Sequence, residues 1–186
     1  MKKKWLILAA VLICLAVLGA GTYANFTTSY QVHNVITTSG VEIELEEWAD
    51  QVGGTEYPTE EVPVMPSSVV TKIPTVKAKA ISAPAWIRAK VVVKVDGRAL
   101  TETQAARLVL MDMNTTHWTS SQGWWYYNQS LSANQRTEPL FTQVTFSGPN
   151  FTNEYKGKTI TVDVFAQGVQ TANNGSSAMT AAGWPG

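Results

Sequence analysis

Apolar and polar side chains alternate with a period of two along three stretches of this 186-residue chain. Val41, Ile43 and Leu45 alternate with Glu42, Glu44 and Glu46. Ile87, Ala89, Val91, Val93 and Val95 alternate with Arg88, Lys90 and Lys94, interrupted at Val92, and Ile160, Val162, Val164 and Ala166 alternate with Thr161, Asp163 and Gln167, interrupted at Phe165. Successive side chains of a strand point to opposite faces, so this period, carried by β-branched residues, predicts half-buried β-strands. Weaker patterns predict strands over 27–35, 69–74, 124–128 and 141–146. Helical spacing is scarce. Thr101-Glu102-Thr103-Gln104 has the form of a capping box opening a short helix through Leu108, and a last turn is expected over 177–182. Gly53-Gly54, Pro58, Pro63, Pro66, Gly148-Pro149 and Asn173-Asn174-Gly175 punctuate the chain as loops, with the acidic segment 50–68 expected to be exposed. About seven to nine short strands, with no helices alternating between them, predict an all-β fold. The expected architecture is an antiparallel β-sandwich, jelly-roll-like, with one or two short helices.

The first residues follow a different rule. Lys2, Lys3 and Lys4 precede Trp5–Leu18, a run whose only polar side chain is Cys14, and then come the small residues Gly19-Ala20-Gly21-Thr22-Tyr23-Ala24. A basic start, a short apolar core and a small-residue ending are the layout of a secretory signal. Cleavage between Ala24 and Asn25 is expected, leaving residues 25–186 as a single domain. An uncleaved anchor is the alternative, because Trp5–Ala24 is long enough to span a bilayer. Cys14 follows Ile13 inside the apolar run, which is the wrong setting for a lipidation site.

Composition changes meaning once that segment is set aside. The whole chain has 14 Lys+Arg and 14 Asp+Glu. Without the three leading lysines, 11 bases face 14 acids, and the single Cys is lost. This charge balance excludes a strongly basic nucleic-acid binder. The absence of cysteine excludes disulfides, thiol catalysis and cysteine-ligated zinc. A domain of about 160 residues without staples must rest on its core, which that size permits.

Candidate chemistry is thin. The two histidines, His33 and His117, lie far apart, and no H-E-x-x-H, G-x-S-x-G, Walker A or G-x-G-x-x-G pattern occurs. Asp112 and His117 are the one pair that invites a metal, without the further ligands a site needs. Glu42, Glu44, Glu46 and Glu47 read as a solvated strand face rather than as paired catalytic acids. No catalytic residue, metal ligand or cofactor is assigned, and the chain is not expected to be an enzyme. The most unusual local feature is aromatic: Trp118, Trp124, Trp125, Tyr126 and Tyr127. Flat apolar faces with polar tips suit stacking on sugar rings or anchoring a protein interface. Filling the core with alternate members of the run is the plainer use.

Several blocks, in order, resemble the camelysin/TasA family of exported Gram-positive proteins. The segment Gly19–Ala24 followed by Asn25-Phe26-Thr27 resembles its processing site, cut by a dedicated signal peptidase of the SipW type. Trp86-Ile87-Arg88-Ala89-Lys90-Val91 resembles its central strand, Trp124-Trp125-Tyr126-Tyr127-Asn128 its aromatic segment, and Thr137-Glu138-Pro139-Leu140-Phe141 its T-x-P-L-F turn. The tail, from Ala166-Gln167-Gly168-Val169-Gln170 to Ala181-Ala182-Gly183-Trp184-Pro185, resembles its C-terminal block. The resemblance implies a jelly-roll domain that is secreted to the extracellular matrix or cell surface and assembles into biofilm fibres. In such fibres an N-terminal strand completes the sheet of the next subunit. Residues 25–35, with Phe26, Tyr30 and Val32, are placed to be that donor. The implied partners are the signal peptidase during export and then further copies or related matrix subunits. The alternative function is a binding module for cell-wall or matrix polysaccharide using the Trp/Tyr cluster. The metallopeptidase activity attributed to camelysin ranks third, since no zinc motif is present here.

Overall fold

The computed structural model describes residues 26–28, 34–37, 40–60 and 62–185. The signal segment, its cleavage site at Ala24 and Asn25, and the donor residues Tyr30 and Val32 lie outside the described residues, and of 26–28 and 34–37 only the backbone is described.

In chain order the strands are β1 (Phe26–Thr28), β2 (Asn34–Thr37), β3 (Ile43–Trp48), β4 (Val62–Val64), β5 (Val69–Thr71), β6 (Ile73–Ala78), β7 (Ala85–Val95) and β8 (Arg98–Ala99). Helix α1 (Glu102–Leu108) then leads into β9 (Val109–Met111), β10 (Trp118–Ser121), β11 (Trp124–Tyr127), β12 (Gln143–Phe146) and β13 (Thr159–Gln170). The fold is all-β, a β-sandwich with, among the described residues, one short α-helix and a single 3-10 turn at Asn153–Tyr155.

The two long alternating segments form the spine. β7 and β13 pair antiparallel from Ile160↔Val95 to Gln170↔Ala85. On their inner face Ala85, Ile87, Ala89 and Val93 meet Ile160, Val162, Val164 and Ala166, all buried. This pair is the centre of the larger sheet, ordered β10-β11-β7-β13-β1-β4, with β2 also on β13 and β8 on β7. Tight turns close two of its hairpins. Asp96-Gly97 and Gln122-Gly123 take successive positive φ angles, 49° and 78° in the first and 50° and 76° in the second. This left-handed pair matches the twist of two-residue hairpins and favours glycine at its second position.

The second layer is built from β5-β12-β9 and β3-β6. A single expected strand over 69–74 is in fact two. The chain pairs with β12 through Thr71, passes Lys72, and pairs with β3 from Ile73. At the junction the Lys72 N–H donates to Thr142 O at 3.1 Å. Val41, Ile43, Leu45, Val76, Val144, Phe141 and Phe146 supply this layer's share of the common core.

The helix forms where the capping box predicts it. Thr101 Oγ1 accepts from Gln104 N at 3.3 Å, and Gln104 Oε1 accepts from Thr101 N at 3.0 Å. Only Leu108 of the helix is buried, and Val109 turns at once into β9. The 50–68 segment is exposed through Glu60 apart from half-buried Tyr57, and Val62–Val64 within it forms β4.

At Gly168 the two layers approach closely. A Cβ there would stand 2.9 Å from Val41 Cγ1 and 3.4 Å from Ile43 Cδ1. Gly168→Val is therefore expected to lower stability by about 1–3 kcal/mol through overpacking. A urea midpoint equal to that of the parent chain would show that the layers do not meet at this point.

Candidate functional site

Strand β13 is satisfied differently on its two edges. β7 pairs with it over nearly its whole length. The opposite edge is filled by two short segments of the N-terminal stretch, both parallel: Thr27↔Thr159 and Thr28↔Ile160 from β1, and Asn34–Thr37 opposite Phe165–Gly168 from β2. β1 also pairs antiparallel with β4, from Phe26↔Val64 to Thr28↔Val62. The residues around Phe26 thus sit between β13 and β4, and removing them leaves both strands with an unpaired edge. Main-chain donors and acceptors on an open edge are a template for another strand. This slot is the candidate assembly site.

The aromatic segment divides by parity. Trp118 and Tyr127 are core: both are buried, with ring centroids 5.0 Å apart. Trp118 Nε1 donates to Glu138 O at 3.1 Å, and Tyr127 Oη accepts from Glu138 N at 3.3 Å. Trp125, half-buried, packs against the same core. It lines a cavity of about 410 Å³ with Val91, Val93, Ala105, Met111 and Met113, in which Glu102 is the only charged side chain.

Trp124 and Tyr126 point the other way and meet the tail. The Arg88 guanidinium lies 4.0 Å from the Trp124 ring centroid and 4.6 Å from that of Trp184. Tyr126 meets Trp184 edge-on at 6.0 Å. Arg88 is fixed there by Gln167 Oε1 at 2.7 Å and by Pro185 O at 3.2 Å. A cation held between two indoles is favourable in itself, and here it pins the C-terminal residues to the outer face of the larger sheet. A sugar-stacking surface built from these aromatics therefore reduces to Trp124 and Trp125, since Trp118, Tyr126 and Tyr127 are buried.

The candidate metal pair is otherwise engaged. The Asp112 carboxylate accepts from Thr142 N at 2.8 Å, Gln143 N at 2.7 Å and the Thr142 hydroxyl. Burial opposes ionisation there, but these hydrogen bonds outweigh it and hold the carboxyl below its usual range. His117 Nδ1 faces Asn114 Oδ1 at 3.3 Å. No group of three or more metal-ligating side chains occurs among the described residues.

The acidic strand holds a residue that the sequence reading misplaced. Glu46 takes a two-pronged contact from Arg136, in which Arg136 Nη2 donates to Glu46 Oε1 at 3.1 Å, and it lies 3.6 Å from Lys77 Nζ. Glu47 does not belong to that solvated face. It is in phase with Ile43 and Leu45, points inward, and meets Lys72 Nζ at 2.9 Å, both side chains being at most 3% exposed. Tyr57, from the 50–60 turn, lies over the ammonium at 4.4 Å. Burial raises the Glu47 pKa to about 7 and lowers that of Lys72 to about 8, each effect partly offset by the partner's charge. Its parity with Ile43 and Leu45 was the signal that could have found Glu47.

Comparison with protein-family models, curated proteins and solved structures gives no match to this chain.

Proposed function

We propose that the protein is a secreted structural subunit of the extracellular matrix or cell surface that self-associates by strand addition. In this reading residues 25–35 of one copy leave their own β13–β4 slot and fill that of the next. The slot carries the proposal. A long central strand has one edge completed by short parallel segments from the far end of the chain. Parallel ladders are slightly weaker per residue than antiparallel ones, so exchange between copies loses little and regains the same bonds. Backbone pairing supplies affinity and alternate side chains supply register. The resemblance of the processing site and aromatic blocks to the camelysin/TasA family supports export and a matrix role. The partners are a signal peptidase during export and then other copies or related subunits.

A synthetic peptide of residues 25–37 tests the exchange directly. Added in excess to the chain that begins at Asn25, it is expected to occupy vacated slots and shorten the assemblies seen by sedimentation. Assemblies of unchanged size, with no bound peptide, would refute exchange through this slot.

A further inference from the structure

We propose that Lys72 and Glu47 become joined by an intramolecular amide bond, a covalent clasp across β3 and β6 in a protein whose described residues hold no cysteine. The two groups are in contact at 2.9 Å and almost wholly excluded from water. Glu47 stands on β3, opposite Pro74, and Lys72 immediately precedes β6, whose Ile73 lies opposite Trp48. Both side chains are buried, so the amine is held against the carboxylate.

As an ion pair the arrangement is incomplete. Glu47 Oε1 is buried without a hydrogen-bond partner, and an unsatisfied charged oxygen in the interior is costly. An amide replaces two buried charges with one neutral dipole. Burial already moves both groups toward the reactive forms, a protonated acid and an unprotonated amine. Holding two reactants in one place acts like an effective concentration of about 10⁵–10⁸ M and lowers the barrier to their condensation.

The step balances without an oxidant or cofactor. The Lys72 Nζ lone pair adds to Glu47 Cδ, forming the C–N bond and a tetrahedral carbon. Nζ gives up one proton, a Glu47 hydroxyl takes one, the C–O bond breaks, and one water leaves. Asp163 is a third buried ionisable group that bears on the pair. It is buried, its Oδ1 has no hydrogen-bond partner, and its Oδ2 is held by Lys94 Nζ at 2.7 Å. Its charge acts on both Glu47 and Lys72, raising the pKa of each. The clasp closes a loop that contains the 50–60 turn, β4 and β5, and so anchors the outer wall of the N-terminal slot.

Intact-mass spectrometry of the purified chain, followed by a protease map, reads the bond directly. The expected mass is one water below that of the sequence, with a branched peptide joining the Glu47 and Lys72 segments. Lys72→Arg is expected at its full sequence mass. A parent chain at full mass after prolonged incubation overturns the proposal. So does a water lost elsewhere, such as a succinimide at Asp96-Gly97, with Lys72 still in linear peptides.

Discussion

Trp118→Ala is expected to lower the stability of the domain by about 3–5 kcal/mol, the usual cost of truncating a buried aromatic to a methyl group. The ring is 1% exposed, the largest side chain buried this completely among the described residues. Three effects combine. The apolar surface lost was packed in the common core, the ring contact with Tyr127 disappears, and Glu138 O loses its indole donor. The space left lies between β10 and the 137–141 turn, where Leu140 and Phe141 are also buried and cannot all move in to fill it. Trp124→Ala, on the outer face of the neighbouring strand, should cost far less, because Trp124 is only partly buried and its ring meets the Arg88 guanidinium. Urea unfolding of the two variants against the parent chain measures the difference. Equal losses would mean that the parity assigned to the aromatic run is wrong.

Lys72→Met is expected to be the other severe substitution, at about 3–5 kcal/mol near neutral pH, because it leaves a carboxyl buried without its partner. The loss should depend on pH. As an ion pair with Lys72, before any amide forms, Glu47 has a pKa of about 7, and the lysine is one of the influences that hold it down. Without it, burial drives the pKa higher still. A folded-state pKa raised above the unfolded value means that the native state holds its proton longer than the unfolded chain does. Stability is then greatest below the ordinary carboxylate range and falls as pH rises through the raised pKa. The variant's urea midpoint should therefore be higher at pH 5 than at pH 8. A flat or rising profile would show that Glu47 reaches water once the lysine is gone. The double replacement Lys72→Met with Glu47→Leu removes the buried charge and should recover part of the loss.

The long elements were legible in the sequence because they bury one face along an uninterrupted alternation. β7 and β13 emerge at nearly their full length, and the capping box at Thr101 located α1 to the residue. Three of the missed strands, β4, β9 and β10, are three or four residues long and too short to show a period. β4 is Val-Pro-Val, β9 continues a helix without a break, and β10 carries Thr-Ser-Ser after its tryptophan. Their pairing is decided by partners distant in the chain. Glu47 was misplaced because a run of acids reads as a wet face, whereas strict counting from Ile43 and Leu45 turns it inward. Lys72 was hidden at a point where the chain changes partner from β12 to β3, a change only the assembled layers reveal. Nor could the slot have been anticipated, since it depends on which strand lies beside β13.

Electron microscopy of two chains, one beginning at Asn25 and one at Ser39, tests the strand-exchange account most directly. With both chains shown to be folded by circular dichroism, the longer should form fibres or extended oligomers. The shorter, which keeps the β13–β4 slot but carries no donor, should remain as single particles. Fibres of equal length and number from the shorter chain would contradict the account, because assembly would then proceed without the segment on which it depends.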